Sequence, residues 1–113
     1  MAVSAISLDR ALQIRRATLA DDGYSKTEVF ADFGAPIRGG KVEVSDGERW
    51  RAAQVGASIS ARFTVRRTEF TVQLGPQDRI LCEGREYEIT GIREHSQDPR
   101  RFYEIAATAE ITS

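Results

Sequence analysis

The stretch from Ala53 to Arg67, AAQVGASISARFTVR, decides the fold class of this chain. Every second residue from Val55 to Val65 is apolar, and the residues between them are glycine, serine, threonine or arginine. Such alternation places the apolar side chains on one face of an extended strand. This strand would be much longer than the usual strand of about 5–6 residues. We therefore predict a long spine strand in an antiparallel β domain, with one face packed on a core.

Strand-like runs on both sides of the spine predict an all-β domain. The first run is centred on Leu12 to Arg16 and is followed by a turn cluster at Asp21-Asp22-Gly23. Helical periodicity is confined to a turn around Leu8 to Leu12. The predicted fold class is a small antiparallel β-barrel or sandwich with one long excursion loop or hairpin. The remaining predicted strands are Lys26–Phe33, Arg67–Gly75 as a continuation of the spine, Arg79–Cys82, Glu86–Ile92 and Phe102–Thr108.

The excursion runs from Pro36 to Ala52, where the two-residue pattern is interrupted. Asp46-Gly47 is a strong hairpin signal, and a three-residue turn there would place Val42 opposite Trp50. A hairpin with so little apolar surface is marginal on its own, so we expect it to become ordered against another surface. The residues of this loop that we predict to line a channel or an interface are Gly39, Gly40, Lys41, Asp46, Gly47, Glu48, Arg49, Trp50 and Arg51.

Trp50 is the only tryptophan, and two interpretations of it stay open. Its ring packs on the core, or it anchors a subunit interface, where Trp and Arg are enriched. Arg49 and Arg51 flank the ring, which makes the interface interpretation concrete.

The length and composition of the chain limit the classes of protein to which it can belong. The 113 residues, of which 41% are hydrophobic and 29% charged, fit one domain spanning 1–113, with residues 1–8 as a flexible arm. The net charge of −1 gives no bulk electrostatic argument for wrapping nucleic acid or adhering to a membrane. Cys82 is the only cysteine and the first residues do not resemble an export segment, so a reducing cytoplasm is the expected compartment.

The sequence does not suggest catalysis. His95, the only histidine, lies in a polar loop without the partners that a metal site or a nucleophilic triad needs. Cys82 alternates with Ile80, which indicates a small core residue rather than a nucleophile. The acids from Glu83 to Glu94 are interleaved with arginines, as on a solvated face. We therefore predict no catalytic residue, no metal ligand, no cofactor and no enzymatic activity.

Seven short motifs lie in order along the chain between about Leu8 and Ala109. They are Leu12-Gln13-Ile14-Arg15-Arg16, Asp21-Asp22-Gly23, Thr27-Glu28-Val29-Phe30, Ser45-Asp46-Gly47-Glu48, Phe63-Thr64-Val65-Arg66, Asp78-Arg79-Ile80 and Gly84-Arg85-Glu86-Tyr87-Glu88-Ile89. In their order and spacing they resemble the phage head-tail joining family. These proteins are also called head-closure, stopper or head-tail connector proteins of long-tailed phages and gene transfer agents.

The resemblance implies a structural protein that assembles as a homo-oligomeric ring in the neck of the virion, under the portal and adaptor rings. The ring would retain packaged DNA, pass double-stranded DNA without sequence specificity, and offer a docking face to tail terminator or tail tube proteins. In the family, a long loop between early strands reaches towards the channel; by position this is Gly39 to Ala52. Assembly would take place in the bacterial host cytoplasm, and no membrane is implied.

A ring with head-to-tail contacts needs two different complementary patches on each subunit. We predict one such contact between arginines on the polar face of the spine and acids of a neighbouring subunit. The inter-subunit candidates are Arg62, Arg66, Arg67, Glu83, Glu86 and Glu88.

Two alternative functions stay open. A tail terminator or tail-completion protein is also a ring-forming β protein of the neck. An OB-like module that binds single-stranded nucleic acid would need several aromatic side chains on one sheet face within a basic groove. Phe63 and Phe70 are not accompanied by a net basic composition, which argues against this second alternative.

Overall fold

The computed structural model describes residues 8–21, 23–54 and 59–109. The predicted flexible arm lies outside these residues except for Leu8, and residues 55–58 of the predicted spine also lie outside them. In chain order the elements are β1 (Arg10–Asp21), β2 (Lys26–Asp32), β3 (Ile37–Glu43), α1 (Asp46–Gln54), β4 (Ala61–Arg66), a 3-10 turn (Thr71–Gln73), β5 (Asp78–Cys82), β6 (Arg85–Glu94) and β7 (Phe102–Ala109).

Six of these strands close into an antiparallel barrel. They follow one another around it in the order β1-β3-β4-β7-β6-β5, and β5 pairs back with β1 from Leu12↔Cys82 to Arg16↔Asp78. The remaining strand, β2, pairs with the second half of β1. The all-β prediction is confirmed, and the closure through β1 and β5 decides between the barrel and the sandwich.

Inward-facing side chains fill the barrel, as expected for a barrel of this size. In β4, Ala61, Phe63 and Val65 are completely buried, as their two-residue spacing predicted. The Phe63 ring meets the edge of Tyr87 with 5.1 Å between ring centres. The other buried members of this core are Leu12, Ile14, Leu74, Ile80, Cys82, Ile89, Ile105, Ala107 and Ala109.

The spine strand is shorter than the alternation predicted, because β4 has six residues. Ala53 and Gln54, at its predicted start, belong to α1. Extended pairing begins at Ser60, whose N–H donates to the carbonyl of Ala107 at 2.8 Å. The alternation therefore identified the buried face correctly but overestimated the length of the strand.

The predicted continuation of the spine over Arg67–Gly75 is wrong, because this segment turns away from the sheet. The Thr71 hydroxyl donates to the Arg66 carbonyl at 2.7 Å and accepts the N–H of Thr68 at 2.8 Å. Local side-chain hydrogen bonds of this kind compete with sheet pairing for the backbone groups. The segment therefore forms a tight turn that ends in the 3-10 turn.

The predicted loop from Pro36 to Ala52 is a barrel strand followed by a helix. β3 pairs with β1 on one side and β4 on the other, so Gly39 is a buried barrel residue. A Cβ at Gly39 would lie 3.0 Å from the carbonyl oxygen of Thr64 and closer still to the Leu12 side chain. Glycine at this position therefore permits the close packing of β3 against its neighbours, rather than supplying flexibility.

One part of the sheet extends past the barrel. β1 pairs with β3 and β5 only between Arg10 and Arg16, and beyond that it pairs with β2 alone. We call residues 17–30 the ribbon. All described side chains from Thr18 to Val29 are exposed. The ribbon therefore has little apolar packing of its own, and a two-stranded ribbon of that kind is marginally stable in isolation.

Candidate assembly surfaces

The α1 helix occupies the place of the predicted Asp46-Gly47 hairpin, so that prediction is wrong. The Ser45 hydroxyl accepts the Glu48 N–H at 3.2 Å and caps the helix. Asp46 and Glu48 lie in the first turn and Arg51 in the last, where each charge is favourable to the helix dipole. The spacing of Ser45 and Glu48 is that of a capping box, a helix signal that the hairpin signal obscured.

Within the described residues, α1 has no buried side chain. Trp50 is 65% exposed, so it does not pack on the core of its own chain, and its interface role stays a prediction. The exposed residues of this helix also include the candidates Gly47, Arg49 and Arg51. An ion pair between Glu48 and Arg62 connects α1 to β4. A helix with so little tertiary packing is weakly stabilised and leaves most of its surface exposed.

Lys41 was predicted in a channel loop, but it lies in β3 and faces the barrel interior. It is directly opposite inward-facing Phe63, and opposite residues of an antiparallel pair share a face. Its Nζ lies 3.0 Å from Glu43 Oε1 and 5.5 Å from the ring centre of Tyr87. The Tyr87 hydroxyl is buried and makes no hydrogen bond of regular geometry with a described residue.

This arrangement perturbs the titration of both charged groups. The neighbouring Tyr87 hydroxyl, followed by the Glu43 carboxylate, raises the pKa of Lys41, while burial opposes the increase. The same contact lowers the pKa of Glu43, because the ammonium of Lys41 stabilises its carboxylate. Gly40 lies next to Lys41 and is also buried. The predicted loop residues Gly39, Gly40 and Lys41 therefore belong to the barrel wall. Their role in a channel stays a prediction.

The base of the ribbon is fixed by a buried carboxylate. Asp78 is completely buried, and its two oxygens accept hydrogen bonds from Arg16 Nε at 2.7 Å and Nη2 at 2.9 Å. The bond to Asp78 raises the pKa of Arg16, partly offset by burial. The Arg16 guanidinium also lies 4.0 Å from the ring centre of Phe33. The direction in which the ribbon leaves the barrel is therefore set by a bidentate ion pair.

Two of the three spine arginines predicted at a subunit interface, Arg62 and Arg67, take part in ion pairs within the chain. Arg62 pairs with Glu48 and lies 3.6 Å from Glu104. Arg67 lies 3.1 Å from Glu94 and also donates to a backbone carbonyl. Contact with a neighbour through either side chain would therefore compete with these intrachain pairs.

The other inter-subunit candidates divide into paired and unpaired groups. Arg66 and Glu88 are exposed, and neither forms an ion pair with another residue in the described part of the chain. Glu83 and Glu86 are paired on the barrel surface. A contact between Arg66 and Glu88 of a neighbour therefore stays a prediction. The intrachain pairs are Arg10–Glu83, Arg79–Glu86 at 3.0 Å and Arg15–Glu86 at 3.5 Å.

The ribbon carries exposed apolar side chains that were not predicted from the sequence. Tyr24, at its tip, is 98% exposed, Leu19 is 69% exposed, and Val29 is also exposed. The turn cluster beside Tyr24 predicted a turn, but no local signal indicates that the strands on either side of it stand clear of the barrel. Exposed apolar residues grouped on one element are typical of an interaction surface.

The outer wall formed by β4, β7 and β6 contains an open cavity of about 190 Å³. Gly91 and Ala106 are adjacent in register at the β6–β7 pairing and leave space above the strands. Arg62, Arg93 and Glu104 stand around this space. Arg93 Nε donates to Glu104 Oε1 at 2.8 Å, which orients the guanidinium beside the cavity. The sequence did not predict the cavity residues Gly91, Arg93, Glu104 and Ala106, because small and charged residues on a solvated face have no distinctive spacing.

Side chains that could bind a metal or a nucleobase are not brought together in the described part of the chain. Across 8–21, 23–54 and 59–109, no group of three or more His, Cys, Asp or Glu side chains could hold a metal ion. His95 Nδ1 accepts the N–H of Gln97, a local turn interaction. Phe63 is buried and Phe70 stacks on Phe33 with 5.3 Å between ring centres, so neither ring is presented to a nucleobase. No helix in this part of the chain is long and apolar enough to cross a membrane.

The model of the phage head completion protein family matches residues 3–110 of this sequence. The chain belongs to that family. The predicted resemblance to head-closure proteins is thereby confirmed, and members of this family are structural proteins rather than known enzymes. As a head completion protein, the chain is a virion component that acts in head closure beside other head or tail proteins. No protein of curated function matches the chain.

Proposed function

We propose that this head completion protein forms the head-closure, or stopper, ring between the portal–adaptor complex and the tail. The observation that carries the proposal is a closed barrel bearing two extensions without a core of their own, in a chain matched to the family over residues 3–110. The ribbon and α1 leave the barrel as ordered elements whose apolar side chains are exposed. Such surfaces are stabilised when partner proteins cover them.

In this ring, each subunit contacts two neighbours through different patches, since a closed ring of identical subunits requires heterologous contacts. The helix α1, with Asp46 to Arg51, occupies the chain position of the predicted channel loop and is the element that we place towards the lumen. DNA must slide through the lumen, so dense arginine–phosphate pairing would hinder its passage. The net charge of −1 is consistent with that requirement.

The ring contacts the portal–adaptor complex on one side and tail terminator or tail tube proteins on the other. The ring assembles in the bacterial host cytoplasm. In the mature virion it is part of the neck. Double-stranded DNA is held above it and passes through it without sequence-specific contact. The same role fits a phage or a gene transfer agent.

The test is the mass of the purified protein, alone and mixed with its cognate portal–adaptor complex, followed by cryo-electron microscopy of the complex. We expect a ring bound directly to the adaptor. A protein that ignores the portal–adaptor complex but caps isolated tails would be a tail terminator. A protein that ignores both and shifts in mass on adding single-stranded DNA would be the nucleic-acid module. Either result would overturn the stopper assignment.

A further inference from the structure

The ribbon and the wall cavity lie on opposite sides of the barrel. Around the six strands, β1 is separated from β7 by two strands in either direction, β3 and β4 on one side and β5 and β6 on the other. The ribbon continues β1, whereas the cavity is centred on the outer face of β7 and its two neighbours. Two different surfaces on opposite sides of a subunit are what a head-to-tail ring requires.

We propose that Tyr24 at the tip of one subunit's ribbon inserts into the cavity over Gly91 and Ala106 of the next subunit. This inference rests on the proposed ring and names the contact that closes it. The occupant is thus a second copy of this chain.

The size and lining of the cavity suit an aromatic ring. Its volume is about 190 Å³, and a protein cavity of about 150 Å³ is enough to bind benzene. Its floor is formed by the small residues Gly91 and Ala106. The guanidiniums of Arg62 and Arg93 flank the cavity, where they can stack on a ring face. The Glu104 carboxylate beside them can accept a hydrogen bond from a phenol.

The charges of the two surfaces are complementary. Asp21 and Glu28 place exposed carboxylates near the tip and along the ribbon, against one exposed cation, Lys26. At the cavity, Arg62 is paired with Glu48 and lies 3.6 Å from Glu104. The cation most open to the ribbon is therefore Arg93, which is 65% exposed. A carboxylate of the ribbon placed beside Arg93 favours the head-to-tail orientation and disfavours pairing of two ribbons.

The first test removes each half of the contact separately. Tyr24→Ser deletes the inserted ring. Gly91→Leu fills the cavity, and it should fold because no described atom lies within 4 Å of a Cβ at Gly91. Val72→Ser is the matched control, since Val72 is 63% exposed and lies outside both surfaces. Circular dichroism and thermal unfolding verify that each variant is folded.

We expect wild type and the control to form rings on the portal–adaptor complex, and each test variant to lose at least about tenfold in assembly affinity. An equimolar mixture of Tyr24→Ser and Gly91→Leu should give one-to-one heterodimers in sedimentation. One variant keeps the cavity and the other keeps the tyrosine, so a single contact forms and cannot propagate. Rings of either variant at wild-type affinity would overturn the inference and leave the proposed function intact. Wild type that forms no ring would overturn both.

A second test records the contact itself. The double variant Tyr24→Cys/Gly91→Cys should form disulfides between subunits when assembled on the portal–adaptor complex, producing a ladder of multimers on a non-reducing gel. The native thiol does not interfere, because Cys82 is buried. The matched control is Val72→Cys/Gly91→Cys, for which we expect monomers. A ladder from the control and none from the test variant would overturn the inference.

Discussion

Asp78 shows how one buried residue connects the barrel to its extension. Its carboxylate accepts two hydrogen bonds from Arg16, and it also accepts the N–H of Gly75 at 3.1 Å. Removing one partner of a buried pair leaves the other without compensation. Arg16 is partly exposed, so water can hydrate its guanidinium when Asp78 is removed. The free-energy cost of leaving Arg16 unpaired should therefore be smaller than for a fully buried cation.

We predict that Asp78→Ala lowers the free energy of unfolding by about 3 kcal/mol. The measurement is urea denaturation followed by circular dichroism. The control is Asp32→Ala, which removes the exposed partner of Arg15 and should cost at most about 1 kcal/mol. Equal losses for the two variants would contradict the role assigned to Asp78.

Cys82 gives the barrel a pH dependence on the alkaline side. Burial, followed by the neighbouring Glu83 carboxylate, raises the pKa of the Cys82 thiol above its ordinary value of 9.0. A raised pKa in the folded state means that the folded protein retains the thiol proton where the unfolded chain loses it. The associated stability is therefore complete below pH 9.0 and is lost as pH rises through the folded pKa.

The expected result is a free energy of unfolding that declines from pH 8 upwards, with a shallower decline in Cys82→Ala. The readout is the difference in slope between the two proteins, so the constant cost of the smaller core residue does not matter. Lys41, whose pKa is also raised, adds to the decline above 10.5 in both proteins. Parallel curves for the two proteins between pH 8 and 10 would show that the thiol does not contribute.

At the scale of single elements, α1 should open independently of the barrel. It has no buried residue, and its described attachments are the cap at Ser45 and the pair between Glu48 and Arg62. Helices of this length are marginal in water without tertiary packing. We predict that Ser45→Ala destabilises the helix by about 1 kcal/mol while leaving the global unfolding transition unchanged.

Hydrogen exchange of the backbone amides is the appropriate measurement, because it separates local opening from global unfolding. Amides of residues 46–54 should exchange faster in Ser45→Ala, and those of β4 and β7 should keep their wild-type rates. The alanine variant of Ser96, in an exposed bend, is the control. In the wild-type protein, the amides of the barrel strands should also exchange more slowly than those of α1.

The elements show where sequence reasoning succeeded and where it failed. The period of two identified Ala61, Phe63 and Val65 as inward-facing, because the alternation of a strand depends only on its backbone geometry. The same period over residues 53–60 did not identify where β4 begins, since Gly, Ala and Ser fit several backbone conformations. For α1, the Asp46-Gly47 turn signal and the capping box compete locally, and the context of the barrel decides between them.

At the scale of the whole molecule, the barrel closes through β1 and β5, which are far apart in sequence. No local pattern reports such a pairing, so the sequence left barrel and sandwich equally open. The positions of Tyr24 and of the wall cavity on opposite sides follow from that closure. The candidate surface therefore could not be predicted residue by residue, although the family and the β class could.

The last prediction separates the barrel from the ribbon. Phe33 N–H donates to the Ile14 carbonyl at 2.8 Å, so by the antiparallel alternation Thr18 and Val29 form a hydrogen-bonded pair. Such a pair can be closed by a two-residue Asn-Gly turn in place of residues 19–28. All described side chains that are removed are exposed, so the free energy of unfolding should change by no more than about 1 kcal/mol.

The shortened protein should lose three residues from each strand of the ribbon, or about 10 Å of its length. Small-angle scattering should show this as a smaller maximum dimension relative to wild type, whose longest extent is 57 Å. Urea denaturation should show a barrel of nearly unchanged stability that no longer forms rings on the portal–adaptor complex. An unfolded product would mean that the ribbon helps to build the barrel, whereas a folded product that still forms rings would exclude the ribbon from the subunit contact.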